Sequence, residues 1–236
     1  MSAEHYIGNE LELFRHAHNW KGYYRNKLSA FIQGDVLEAG AGIGETTRHL
    51  YSEACSSWTC LEPDASLSGK ILEKCANGDL PGNIHVVTGT TADLPAEGSF
   101  DSILYIDVIE HIEDDRSEVE RACSLLRPGG HLIILVPAHQ WLFSPFDTAI
   151  GHYRRYNRAL LKRCIPGRML QQKLFYLDSL GLLASVANKY FLKKKYPSEK
   201  EVKFWDGWIV PFSKITDPLI GYSTGKSLIG VWKKSV

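Results

Sequence analysis

The chain has 236 residues, 44% hydrophobic and 23% charged, an ordinary globular composition that excludes disordered, collagen-like and coiled-coil architectures. Its 27 Lys and Arg balance 27 Asp and Glu, so no net field draws it to nucleic acid, and no nucleic-acid partner is expected. Five cysteines without a C-x-x-C pair encode neither a disulfide framework nor a zinc knuckle, and the N-terminus lacks the apolar run of a secretory signal; both point to the cytoplasm.

Residues 1–33 read as helical, with Leu11, Phe14, Tyr24, Leu28 and Phe31 on an apolar face. Short apolar runs then alternate with amphipathic ones, the pattern of βαβ units and a parallel sheet. Strands are predicted at Val36–Ala39, Trp58–Leu61, Ile84–Thr88, Phe100–Ile106 and His131–Val136. Helices are predicted at Glu45–Ala54, Ala65–Cys75 and Asp114–Leu126, with Pro63, Pro81-Gly82 and Arg127-Pro128-Gly129-Gly130 as breaks. After Pro137 come an aromatic and basic loop (Ala138–Tyr156), a short helix from Asn157, a strand over Met169–Tyr176, a helical insert to about Thr224 and a last strand, Ser227–Lys233. No stretch is long and clean enough to span a membrane. The fold class is therefore α/β, a doubly wound, mainly parallel sheet.

The segment Val36–Thr47, VLEAGAGIGETT, runs a strand into Glu38, Gly40, Gly42 and Gly44 and then a helix. Glycines suit a turn with positive φ, where a Cβ would also collide with a ligand lying across it. A dinucleotide fingerprint would need glycine at 45, where Glu45 stands, and a phosphate loop ending in Gly225-Lys226-Ser227 would need glycine at 220, where Ile220 stands. Glu38 before the glycines, and Glu62 ending the next strand, suit a positively charged nucleoside: Glu62 would hold its ribose and Glu38 its ammonium. S-adenosylmethionine meets that description. Glu62 alone also reads as a helix cap.

With CLEPD (Cys60–Asp64), GTTADLP (Gly89–Pro95), FDSILYIDVIEHIEDD (Phe100–Asp115) and LLRPGGHLIILVP (Leu125–Pro137) following in order, the chain resembles a class I S-adenosylmethionine-dependent methyltransferase. The resemblance implies a seven-stranded Rossmann-like sheet with its last strand inserted antiparallel. It also implies one domain: a lid (1–33), a cofactor core (34–137), a substrate-side loop and insert (138–226) and the last strand (227–236). S-adenosylmethionine is the implied cofactor and S-adenosylhomocysteine the product. The implied cofactor residues are Glu38, Gly40, Gly42, Gly44, Glu62, Pro63, Thr90, Thr91, Asp107, Val108 and Tyr24. Thr90 stands where the family commonly has an adenine-binding Asp. Asp107 also reads as a cap on the following helix.

Methyl transfer needs alignment and, for a protonated nucleophile, a base. His139, Asp147 and His152 in the loop after the fifth strand are the candidates. Gly151–Tyr156, GHYRRY, resembles an element of a bacterial and archaeal subset of the family. There Tyr153, Arg154 and Arg155 are candidates for substrate binding, the arginines as a bidentate clamp, and loop anchoring by salt bridges is their alternative role. His152 alternatively orders the loop. The acidic run Asp107–Asp115 is read as helix start and cofactor edge, and no metal is assigned. The insert, with Lys193, Lys194, Lys195, Trp205 and Trp208, suits an apolar acceptor pocket, a packed cap or a peripheral membrane contact. The expected function is methylation of a small-molecule acceptor at oxygen or nitrogen, a glycan or lipid-linked sugar leading. Two alternatives stand beside it: a cofactor-binding regulatory or scaffold protein, and a same-fold enzyme running another reaction.

Overall fold

A computed structural model describes residues 10–94, 98–192 and 196–235. Residues 1–9 of the predicted lid, Pro95, and the lysines at 193–195 lie outside the described residues.

Seven strands form one sheet: β1 (Gly34–Ala39), β2 (Cys55–Glu62), β3 (Ile84–Thr88), β4 (Phe100–Ile106), β5 (Leu126–Pro137), β6 (Met169–Leu177) and β7 (Ser227–Lys234). Their order is β3-β2-β1-β4-β5-β7-β6. All pairs among β1 to β5 are parallel, and β7 enters antiparallel between β5 and β6. The carboxyl ends of β1 to β6 and the start of β7 therefore share one edge.

The sheet is covered on both faces, so its central strands are apolar at successive positions. Val36, Leu104, Ile133 and Leu135 face one core with Trp20, Tyr24 and Leu28; Leu37, Ile103, Leu132 and Ile134 face the other with Val119, Ala122 and Leu161. The first layer includes α1 (Glu10–Phe14), α2 (His18–Leu28), α3 (Glu45–Leu50) and α4 (Ala65–Ala76), and the second includes α5 (Asp115–Leu125). After β5 come α6 (Pro145–Ala149) and α7 (Arg158–Cys164), and the insert between β6 and β7 holds α8 (Ser179–Ala187), α9 (Glu199–Phe204) and α10 (Val210–Leu219). A π-turn over Trp205–Ile209 joins α9 to α10 without a break.

Two boundaries differ from expectation. Helix α3 stops at Leu50 because Tyr51 turns extended, with ψ 139°. Arg127–Gly130 does not break the chain before β5 but lies within that strand. Phe100 pairs with Leu126 and Ser102 with His131, so the Pro-Gly-Gly segment is accommodated as a bulge, with Gly129 at φ 81°.

Candidate active site

The glycine turn leaves β1 with Gly40, Gly42 and Gly44 at φ 66°, 58° and 76°, values that strain any residue with a Cβ. Gly40 has a second reason. A Cβ there would lie 2.7 Å from Val108 Cγ2, so the residue that follows β4 also demands the glycine. Leu11 of α1 lies over Gly42. The lid thus covers the turn.

Glu62 is 6% exposed and accepts the backbone amides of Gly42 at 2.8 Å and Asp64 at 3.0 Å. It braces the turn, and burial raises its carboxyl above the usual range. Glu38, expected to face the ammonium of the cofactor, is buried at the end of β1, 2% exposed. Its Oε2 accepts Thr47 Oγ1 at 2.6 Å and Trp58 Nε1 at 2.9 Å, and burial pushes it up to about 7 in spite of those bonds. Asp107, after β4, holds φ 54° and keeps an exposed surface. Protein nevertheless encloses it deeply enough that burial lifts it to about 7, against Lys226, Arg155 and Lys21. It stands at the carboxyl edge of the sheet, where doubly wound folds hold their ligands in a cleft. Tyr24 of α2 is buried near Glu38 and Asp107, hydrogen-bonded to Thr46, and burial raises its phenol.

Pro63 is exposed beside Glu62. Thr90 is exposed and tied to Asp93 through its amide at 2.8 Å and its hydroxyl at 2.9 Å. Thr91 is buried, with its hydroxyl donating to Glu118 Oε2 at 2.9 Å, so its side chain packs against α5.

The loop after β5 is ordered by Asp147, which is fully buried. It accepts Ser144 Oγ at 2.7 Å, His152 Nδ1 at 3.0 Å, Arg155 Nε at 2.7 Å and Arg155 Nη2 at 3.0 Å. Burial alone would raise this carboxyl, yet these donors hold it well below the usual range. With both oxygens engaged, Asp147 positions its neighbours and does not act as a base. Arg155 is thereby withdrawn from the expected substrate clamp. Arg154 is too: it pairs with Asp115 Oδ2 at 2.7 Å and donates to the Glu113 carbonyl at 2.7 Å. Loop anchoring is the role both arginines fill. Tyr153 is half exposed. His139 follows β5 at φ 66°, its ring stacked on Tyr176 at 5.2 Å, and burial lowers its pKa.

The sequence profile of the methyltransferase domain family matches residues 15–189. The chain belongs to the methyltransferase domain family. It is 30% identical over 115 residues to norajmaline N-methyltransferase of Rauvolfia serpentina, covering 45% of this chain and 37% of that protein. It is 26% identical over 122 residues to the ubiquinone/menaquinone biosynthesis C-methyltransferase UbiE of Geotalea daltonii, covering 50% and 51%. This methyltransferase thus spans about half or less of those relatives. A solved geranyl diphosphate methyltransferase in complex with S-adenosylmethionine shares its fold, with TM-score 0.63, 12% identity, and 92% of this chain and 85% of that one covered. The methyltransferase has the class I fold, and S-adenosylmethionine is the cofactor. The cleft fits that cation: Glu38, Glu62 and Asp107 are each raised in pKa by burial around one turn, an arrangement that positive charge relieves.

Sequence reasoning gave no site role to two residues at this edge of the methyltransferase, Lys226 and Asp178, and placed Trp205 only in the insert. Lys226, just before β7, lies with Nζ 4.3 Å from the Trp205 ring centroid, and burial lowers its pKa. Trp205 donates to Asp178 Oδ2 at 2.7 Å. Asp178 follows β6 at φ 65° and caps α8 by accepting Gly181 N at 3.0 Å. Asp107, His139 and Asp178 thus put non-glycine residues in a left-handed conformation at the ends of β4, β5 and β6. Lys226 carried one signal, a lone cation opening an apolar strand; nothing in local spacing pairs it with Trp205.

Proposed function

We propose that this methyltransferase methylates a small-molecule acceptor at oxygen or nitrogen, with a lipid-linked sugar as the leading class and His139 as the base. The observation that carries the reading is His139 itself. It occupies the carboxyl end of β5 in a conformation costing about 1 kcal/mol or more, on the same edge as Asp107, with an imidazole that burial keeps neutral and able to accept a proton. The bound donor supplies an electrophilic methyl group. The chain's residues do the remaining work: Tyr24 and Leu11 cover the cleft, Glu62 fixes the turn, and His139 takes the proton of a hydroxyl acceptor as it attacks, or that of an ammonium acceptor before its freed lone pair attacks.

The lipid-linked class rests on the insert. Phe204, Trp208, Phe212, Ile215 and Leu219 are all more than half exposed, at spacings of four, four, three and four, which place them on one helical face. Trp205, Ser213 and Asp217, on the other side of the helix, are buried. Such a helix lies on a bilayer surface rather than through it; among the described residues no helix is long and apolar enough to cross a membrane. The test is S-adenosylhomocysteine formation with lipid-linked and water-soluble glycans in vesicles. Lipid-linked acceptors should turn over faster, and His139→Ala should lower kcat by about 100-fold or more while cofactor affinity is kept. Turnover only on carbon nucleophiles, or cofactor binding with no product, overturns it.

A further inference from the structure

Glu110, three residues past Asp107, is fully buried, and neither carboxylate oxygen has a hydrogen-bond partner. Two histidines surround it. The ring of His111 meets that of His152 edge to face, with centroids 4.5 Å apart. One ligand atom from each of Glu110, His111 and His152 lies within 4.8 Å of the other two. Each imidazole is held from outside. His152 Nδ1 donates to the buried Asp147, 3.0 Å away, leaving Nε2 3.9 Å from Glu110 Oε1. The backbone carbonyls of Ile150 and Gly151 hydrogen-bond His111. A carboxylate or carbonyl fixing the far nitrogen of a histidine is the support that metal-bound imidazoles have.

A shared proton does not account for the arrangement. At 3.9 Å, Glu110 and His152 are outside hydrogen-bond range, and a proton would leave the other oxygen and His111 unserved. Ionising a buried carboxyl that has no donors costs several kcal/mol, and a cation between the three groups offsets that cost while engaging both imidazoles. An ion about 2.1 Å from each ligand sets the ligand atoms roughly 3.5 Å apart, so the three groups would close by about 1 Å from the spacing of up to 4.8 Å seen here. We propose that Glu110, His111 and His152 form a binding site for a divalent first-row transition cation, held by two imidazole nitrogens and one carboxylate beside the cofactor cleft. Two nitrogens among three ligands favour Zn²⁺ and similar ions over Mg²⁺, which prefers oxygen. No local spacing in the sequence announces the set, because His152 comes from the loop after β5 and the other two from the end of β4.

The full chain, stripped with chelator, is titrated with Zn²⁺ by calorimetry and with Co²⁺ by visible absorption. The exposed pair His18 and His49, whose rings lie 3.2 Å apart at Nδ1 and Nε2, is removed by His18→Ala in the background. One equivalent of Zn²⁺ is expected to bind and to raise Tm, Mg²⁺ at equal concentration should not compete, and Co²⁺ should give absorption bands of a nitrogen-ligated ion. Glu110→Gln and His152→Gln should each weaken Zn²⁺ at least 10-fold. A second readout guards against misfolding: in metal-free protein Glu110→Gln, a near-isosteric change, should keep the Tm of the parent while abolishing the Zn²⁺-induced rise. Zn²⁺ binding unchanged in both variants, or absent once His18 is replaced, overturns the assignment. Cofactor binding is measured in parallel and stands whichever result appears.

Discussion

Asp147 joins Ser144, His152 and Arg155 in one buried cluster, so replacing it leaves Arg155, only 12% exposed, without its counter-charge. Breaking a buried pair from one side costs about 3 to 5 kcal/mol. Asp147→Asn should lower the stability of the protein by an amount in that range, read from urea unfolding at pH 7. Because the folded-state pKa lies below the unfolded value of about 3.9, the contribution of Asp147 is complete above that value and fades only as the pH falls beneath it. Gly151–Tyr156 was legible in sequence as an ordered basic loop, but not whom it serves. Charge and spacing are equally compatible with a substrate clamp and with internal anchors, and the choice is made by Asp115 and Asp147, which only the fold brings to Arg154 and Arg155.

Among the elements, the insert is tied to the rest of the molecule by carboxylates that meet amides and hydroxyls. Asp217 of α10 accepts the amides of Asp178 at 2.7 Å and Ser179 at 2.9 Å and the hydroxyl of Tyr23 at 2.9 Å. Asp206 accepts the amide of Trp20 at 2.8 Å, at the start of α2. Asp217→Ala strands those three donors, and a lost buried hydrogen bond leaves a penalty of about 1 to 3 kcal/mol per group. Amide exchange in α2, α8 and α10 should accelerate together while β1 and β4 stay protected; acceleration confined to α10 would show the three helices to be independent. The strands were readable because β1, β4 and β5 are buried on both faces and spell short apolar runs. The start of β5 was not, since Pro-Gly-Gly signals a break in isolation, and only pairing with β4 converts it into a bulge.

For the molecule as a whole, the charge around the cleft sets how the donor binds. Glu38 and Asp107 are both pushed to about 7; below that pH they are protonated and neutral, above it they are anionic. A permanent sulfonium is favoured by the anionic forms. Affinity for S-adenosylmethionine should therefore rise between pH 6 and pH 7.5, and affinity for uncharged-sulfur S-adenosylhomocysteine should rise less, as calorimetry across that range would show. Equal slopes for the two would mean that these carboxylates do not sense the sulfur. The sequence announced the carboxylates but not their states. Residue type marks a potential charge, whereas the depth that raises its pKa is set by how lid, sheet and insert close over it.

The left-handed residues that follow β4, β5 and β6 carry a last consequence. Glycine would sit at any of these positions without effort, so random drift at Asp107, His139 and Asp178 has a ready path toward a more relaxed backbone. Each such step would erase a carboxylate or an imidazole from the rim of the cleft. Variants recovered from a screen for heat tolerance alone should accordingly be enriched in glycine at positions 107 and 139, and should be poor catalysts. Asp178, whose carboxylate also secures Trp205 and Ser213, should resist that exchange.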